Sequence, residues 1–392
     1  MKHLKKDFCT FLGIILMILP LKAVAQDSIQ ANAMDSVEVS LLTCSPHEEI
    51  YSLYGHTALR WHDLRTNEDL AFNWGIFNFK KPYFVLRFVF GLTDYELGTI
   101  PMKYFIEEYR SVGSSVTEQV LNLTADEKQR LFLALIRNLQ PENRIYRYNY
   151  FYDNCSTRPR DIIEQCVNGE IKYTDNKDFT PSYRDMIHVC TRNHPWATFG
   201  NDMLLGVKAD LATDRRQQEF LPEHLLYDFD RAQIYADGDY RPLVKERRTI
   251  VPPGIQVIEP DFMFSPTECA YALLILSLII LTFEWRRKKT FPLWDCLLMI
   301  AQGLVGLVLF AMLFSQHPTT STNLQIFMFN PLPFAFLPVV VRGRSTRWWI
   351  LLSVLFVLFM IGSLFQHYAE GMIIVALCLL LRPVIHFKLK AC

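Results

Sequence analysis

Through the first two-thirds of the chain, apolar and polar positions alternate in short runs broken by turn residues; from Thr267 onward they fuse into long apolar blocks. Alternation over about four to eight residues marks half-buried strands, and apolar runs of about twenty mark helices that cross a bilayer. On that pattern residues 37–44 form a strand and residues 46–54 a short helix broken by Gly55. Residues 56–61 and 70–77 form a strand pair around the polar turn 63–69, residues 101–109 a helix and residues 115–123 a further strand. Thr124 and Glu127 are spaced as a capping box, which opens a helix running to about Leu139. Tyr146, Tyr148, Tyr150 and Tyr152 alternate towards Cys155 as in an extended approach, and the helical stretch 161–167 stops at Asn168-Gly169.

The apolar blocks predict five spans, at residues 269–283, 292–314, 324–341, 348–365 and 372–381. Arginines and lysines gather at every second connection: Arg286 to Lys289, then Arg342, Arg344 and Arg347, then Arg382, Lys388 and Lys390. By the positive-inside rule the front domain and the 316–322 and 366–370 loops lie outside and the C-terminus inside. Asn330, Pro331, Pro333 and Pro338 interrupt the third span, which reads either as a kinked packing helix or as a broken helix that shapes a lipid-facing cleft. His317, Asn323 and Asn330 fall near the outer face, where they either cap loops or meet a headgroup. At the other end, Lys2, Lys5 and Lys6 precede an apolar run, and Ala23-Val24-Ala25 stands before Gln26, the pattern of a secretory signal over 1–25, with an uncut anchor as the alternative.

Length fits one soluble domain plus a membrane module, with domains over 37–255 and 267–385 separated by the linker 251–254. Forty basic and forty acidic residues cancel, so no net field argues for nucleic acid. Residues 77–90 are rich in aromatics with Lys80, Lys81 and Arg87 interleaved, the composition of an interfacial segment or of a buried strand with a charged edge. Nine cysteines in a chain this long are not a disulfide framework. A pairing among Cys44, Cys166 and Cys190 stays open outside the cytoplasm, whereas Cys155 and Cys166 on one helix stand about 16 Å apart, too far to bridge. No Cys or His pair shows metal-ligand spacing with a second pair behind it, and no cofactor is expected.

A thiol attacks only as its thiolate, so a working cysteine needs an electropositive, partly exposed setting. Pro159 places a helix start between Cys155 and Arg158, which puts Cys155 at the positive end of the helix dipole with Arg158 and Arg160 adding charge. His56 is the natural base, with His47, His62, His188 and His194 as competitors and His62 as a possible second partner on the same strand. Asn73, with Asn78 behind it, is the choice for holding the imidazole. The Cys155 amide and the Asn154 side chain are the candidate oxyanion donors. An inert packed thiol is the competing reading of the same residues.

Tyr54-Gly55-His56-Thr57-Ala58-Leu59-Arg60, Phe72-Asn73-Trp74-Gly75-Ile76-Phe77 and Tyr152-Asp153-Asn154-Cys155-Ser156-Thr157 resemble the Lnb N-terminal periplasmic domain, and the back half looks like its companion five-span module. That family is similar to the circularly permuted branch of the papain-like NlpC/P60 superfamily, in which the histidine strand precedes the cysteine helix. The resemblance implies an α+β fold, an antiparallel sheet packed against the cysteine helix, followed by a five-helix transmembrane domain in a bacterial inner membrane. It implies apolipoprotein N-acylation: a fatty acyl chain passes from a phospholipid, through a thioester on Cys155 with His56 as base, to the α-amino group of a diacylglyceryl-cysteine lipoprotein. The third residue is not fixed by motif. Two rivals remain, a membrane-tethered cysteine peptidase or amidase acting on cell-wall peptides and a non-catalytic scaffold.

Overall fold

The computed structural model describes residues 34–77, 82–174, 179–256, 262–343 and 346–391, so the signal segment 1–25 and Asn78 lie outside the described residues. In chain order the strands are β1 (Val37–Cys44), β2 (His56–Asp63), β3 (Glu68–Ile76), β4 (Asp94–Pro101), β5 (Val116–Leu121), β6 (Ile145–Arg147), β7 (Glu170–Lys172), β8 (Gln233–Ala236), β9 (Asp239–Pro242) and β10 (Val244–Val251). Seven of them form an antiparallel sheet in the order β10-β5-β1-β2-β3-β4-β6; β7, β8 and β9 pair separately.

Both faces of the large sheet are covered, which is why β1 is buried at almost every position, Ser40 and Thr43 included, rather than only at alternate ones. Val37, Val39 and Leu41 pack with Leu131 and Leu135 of the helix Ala125–Leu139 and with Ile163 of the helix Thr157–Cys166. Leu42, Cys44, Ala58 and Ala71 pack with Met102, Phe105 and Tyr109 of the helix Met102–Ser111. The capping box is present in full, and its Glu127 carboxylate also receives the Asn168 amide at 2.7 Å and Arg241. The stretch 46–54 is not the helix expected: it holds one 3-10 turn, Ile50–Ser52. The Ser52 hydroxyl donates to the carbonyls of His47 and Glu49, local bonds that compete with helix propagation.

The chain is thus a mixed α/β molecule with a sheet-rich N-terminal domain and a helical C-terminal region. Among the described residues four helical segments there, Pro266–Arg287, Pro292–Leu313, Leu324–Val341 and Met372–Lys390, are long and apolar enough to cross a membrane, and Thr346–Gly362 is a shorter apolar helix. The third segment is a 3-10 turn, Leu324–Phe327, followed by the helix Leu332–Val341. Its break packs against protein: Gln302 donates to the Met328 carbonyl at 2.6 Å, and a Cβ at Gly306 would lie 2.2 Å from the Asn330 backbone. This is the arrangement of a kinked packing helix, in which neighbouring helices satisfy the freed carbonyls. At the ends far from the sheet domain, the buried Arg382 guanidinium holds Glu284 at 2.6 and 2.8 Å and Asp295 at 2.6 Å, and His386 meets Asp295 at 2.9 Å.

The ends near the sheet domain are joined to residues 202–207 by main-chain and amide bonds. Gly206 and Val207 amides donate to Thr319 and Thr322 carbonyls at 2.8 Å each. Asn323, Gln325 and Gln366 donate to the carbonyls of Met203, Asp202 and Leu205 at 2.7 to 2.9 Å. Asn323 and Asn330 therefore cap and staple loops. A Cβ at Gly206 would stand 2.2 Å from the Thr322 carbonyl oxygen. Gly206→Val is expected to force this junction apart at a cost of about 1–3 kcal/mol. Thermal unfolding in detergent, together with faster proteolysis within 195–210, measures it; an unchanged melting temperature and cleavage rate would show that the junction carries no stability.

Candidate active site

Gly55, at φ +74°, turns the chain from the 3-10 turn directly into β2, and any Cβ there would lie 2.8 Å from the Cys44 carbonyl. The tight turn makes His56 the first residue of β2, opposite Cys44 of β1. On the next strand Asn73 pairs with Ala58, so His56, Ala58, Asn73 and Gly75 share one face. His56 Nε2 donates to Asn73 Oδ1 at 2.5 Å, which fixes the tautomer and leaves Nδ1 for a second partner.

That partner is Cys155, which hydrogen-bonds His56 just before the helix Thr157–Cys166 begins. Gly75, at φ +100°, lies against the pair; a Cβ there would make only ordinary contact, 3.9 Å from Cys155 Cβ and 4.0 Å from His56 Cε1, so the backbone conformation rather than space calls for glycine. Burial raises the Cys155 thiol, but the His56 charge, the hydrogen bond from His56, the Thr57 amide and the Ser156 hydroxyl outweigh it and pull the thiol below its ordinary range. Burial likewise lowers His56, while the Cys155 charge and the bonds to Cys155 and Asn73 raise it overall. Each group thus stabilises the charged form of the other. Cys44, Cys166 and Cys190 move the other way through burial. All three, and Cys155, are free thiols, so the pairing left open for Cys44, Cys166 and Cys190 is not made.

Three sequence expectations change. Asn154 is buried with both amide hydrogens donated, to the Tyr150 and Phe220 carbonyls at 2.9 Å, while its Oδ1 accepts the Ser156 and Thr157 amides. Its amide has no hydrogen to spare for an oxyanion, and it acts instead as the scaffold that shapes the cysteine turn. Arg158 is neutralised by Asp153 at 2.6 and 2.7 Å and lies 3.5 Å over the Tyr146 ring. Arg160 is paired with Asp161 and Glu219. Neither arginine is a free charge beside the thiol. His62, six residues along β2 from His56, is about 20 Å away and faces Arg60 at 3.5 Å. His47, His188 and His194 face Ser52, Asp202 and Glu48. Among the described residues no three His, Cys, Asp or Glu side chains converge as a metal needs.

Thr57 and Ser156, which the sequence reading passed over, supply thiolate donors and bond each other at 2.9 Å. Aromatic rings lead outward from the thiol. Tyr148, pushed up by burial and by the Cys155 charge, stacks on Tyr95 at 4.1 Å; Phe77 packs on Tyr95 at 5.0 Å and Tyr51 on Phe77 at 5.9 Å. Within residues 77–90 lies the helix Phe84–Val89, with Leu86 and Phe88 exposed. It docks on the loop after the helix Pro292–Leu313: Gln316 donates to Phe90, and His317 meets the Phe88 carbonyl at 3.1 Å. Arg87 and Arg147 hold Asp94, the residue before Tyr95, at 2.5 and 2.8 Å.

Architecture and cluster define a multi-pass membrane protein whose extramembrane α/β domain holds a cysteine, a histidine and an asparagine in hydrogen-bonded sequence. Comparison with known families places it further. The Lnb N-terminal periplasmic domain matches residues 25–192 and the Lnb transmembrane domain matches residues 258–391, so the chain belongs to the Lnb family and its front domain is periplasmic. No curated protein and no solved structure matches it.

Proposed function

We propose that this protein is an apolipoprotein N-acyltransferase of the bacterial inner membrane, and that its periplasmic domain, residues 37–255, is a circularly permuted papain-like fold. The shorter helix Thr346–Gly362 counts as a fifth crossing in this reading. One observation carries it: a thiol lowered by its histidine stands against a run of rings, Tyr148, Tyr95 and Phe77, in a domain docked on the membrane loops through the helix Phe84–Val89. Rings beside the thiol suit an acyl chain better than a polar peptide, and they would exclude the water that hydrolyses a thioester.

In the reaction the Cys155 thiolate attacks the ester carbonyl of a phospholipid, forming the C–S bond. The oxyanion is met by the Cys155 backbone amide beside the helix N-terminus. Collapse breaks the ester C–O bond, and the His56 imidazolium protonates the departing lysophospholipid alkoxide. A neutral α-amine of a diacylglyceryl-cysteine lipoprotein then attacks the thioester. Its proton passes to His56 as the C–S bond breaks, which restores the ion pair. Asn73 holds the ring throughout.

Intact-mass analysis of the wild-type protein incubated with phospholipid tests this. A fatty-acyl adduct on Cys155 that hydroxylamine removes is expected. A protein that never acquires one while cleaving peptides is a peptidase instead.

A further inference from the structure

Two cavities meet on Glu370, where the helices Pro266–Arg287 and Met372–Ala391 reach the sheet domain. One, of about 360 Å³, is lined by Thr267, Ser363, His367, Glu370 and Ile374 among others; the second, of about 170 Å³, by Trp196, Phe199, Leu273, Glu370 and Val375. The first is mixed, with more apolar than polar lining, and the second is almost wholly apolar. Gly371, at φ +80°, brings the loop against the first helix, since a Cβ there would lie 2.9 Å from Ala270 Cβ.

The polar groups of the pair are under-used. Thr267 Oγ1 is buried without a hydrogen-bond partner. The exposed Glu370 carboxylate makes no hydrogen bond or ion pair among the described residues. The exposed His367 ring meets the edge of the His188 ring at 5.7 Å. An orphaned hydroxyl and a lone carboxylate beside an apolar slot at the bilayer rim want a ligand with both characters: a cationic hydrogen-bond donor for Glu370, an acceptor for Thr267 and a hydrocarbon chain for the slot.

We propose that this pair of cavities binds a glycerolipid bearing a primary ammonium group, with Glu370 as its counter-charge and Trp196, Phe199 and Leu273 around its chain. The site deepens the acyltransfer reading and rests on it for its purpose. Trp196 and Phe199 lie on the helix Pro195–Leu204, whose Asn201 donates to the Tyr54 hydroxyl at 2.8 Å, two residues before His56. A lipid held there waits one helix from the base, on elements separate from the Phe84–Val89 helix. Two sources carry this chemistry, an aminophospholipid and the free amino terminus of a diacylglyceryl-cysteine peptide.

The test uses the full-length Cys155→Ala protein in nanodiscs, so that binding is read without turnover. Phosphatidylethanolamine and phosphatidylglycerol, each with a photoreactive acyl chain, are crosslinked and the labelled peptides mapped. Phosphatidylethanolamine is expected to label residues 266–275 and 370–376, and Glu370→Gln, an exposed position that leaves packing alone, to cut that labelling about ten-fold. Leu273→Trp, filling the slot, is expected to do the same. Competition separates the sources: an unlabelled diacylglyceryl-cysteine peptide that outcompetes phosphatidylethanolamine, and loses this when N-acetylated, marks an acceptor site, whereas stronger competition by the phospholipid marks a donor site. Equal labelling by both phospholipids, untouched by Glu370→Gln, overturns the site. Its loss would leave the acyl adduct on wild-type Cys155 standing, and absence of that adduct would leave the binding result standing.

Discussion

Cys155→Ala is expected to lower acyl transfer by roughly 10⁴- to 10⁶-fold, the scale on which a covalent nucleophile acts, and to leave the melting temperature within a few degrees. The side chain is small and partly exposed, and the turn that carries it is held by Asn154 and Thr157 rather than by the sulfur. Cys155→Ser is expected to be nearly as inactive, because a hydroxyl is not ionised by one imidazole in the way a thiol already lowered by His56 is. The measurement is conversion of a diacylglyceryl-cysteine peptide to its N-acyl form in vesicles holding the purified variant. Retention of a tenth or more of wild-type rate by Cys155→Ala would remove the thioester from the mechanism and favour the scaffold reading.

His56→Gln is expected to cost roughly 10²- to 10⁴-fold, the range for loss of a general acid–base, and to change the pH dependence of the thiol in a defined direction. In the wild type the thiol is depressed, so thiolate is present above the lowered value and is lost as the pH falls through it. Removing His56 leaves burial as the dominant influence, which raises the thiol. The rate of alkylation of Cys155 by iodoacetamide should therefore titrate below the ordinary thiol range of about 8.5 in the wild type and above it in His56→Gln. Identical alkylation profiles would mean that no ion pair exists. Asn73→Ala is expected to have a smaller effect of the same sign, since Asn73 acts on the thiol through the ring.

The sequence made the strands carrying His56 and Asn73 legible because alternation and a glycine turn are local signals. It also made the Thr124 cap legible, and the helix start after Cys155 from Pro159. What it hid was partnership. Asn154 looks like a free donor until the Tyr150 and Phe220 carbonyls, the second 66 residues away, are brought against it. Arg158 looks like a cation beside the thiol until Asp153 folds back on it. β10 was invisible because Lys245, Glu246, Arg247 and Arg248 give no apolar alternation; it is an edge strand held by pairing with β5. The docking of residues 202–207 on the membrane loops rests on backbone carbonyls, which leave almost no trace in residue type.

The single guanidinium of Arg382 has a consequence for biogenesis. Glu284 and Asp295 emerge from synthesis about ninety residues before the cation that neutralises them, and each is costly inside hydrocarbon. Until the last helix is in place, Glu284 and Asp295 lack the guanidinium that pairs with them in the folded protein. A chain truncated ahead of residue 382 is therefore expected to pack its first two membrane helices poorly, because both acids would lose the partner that their burial requires.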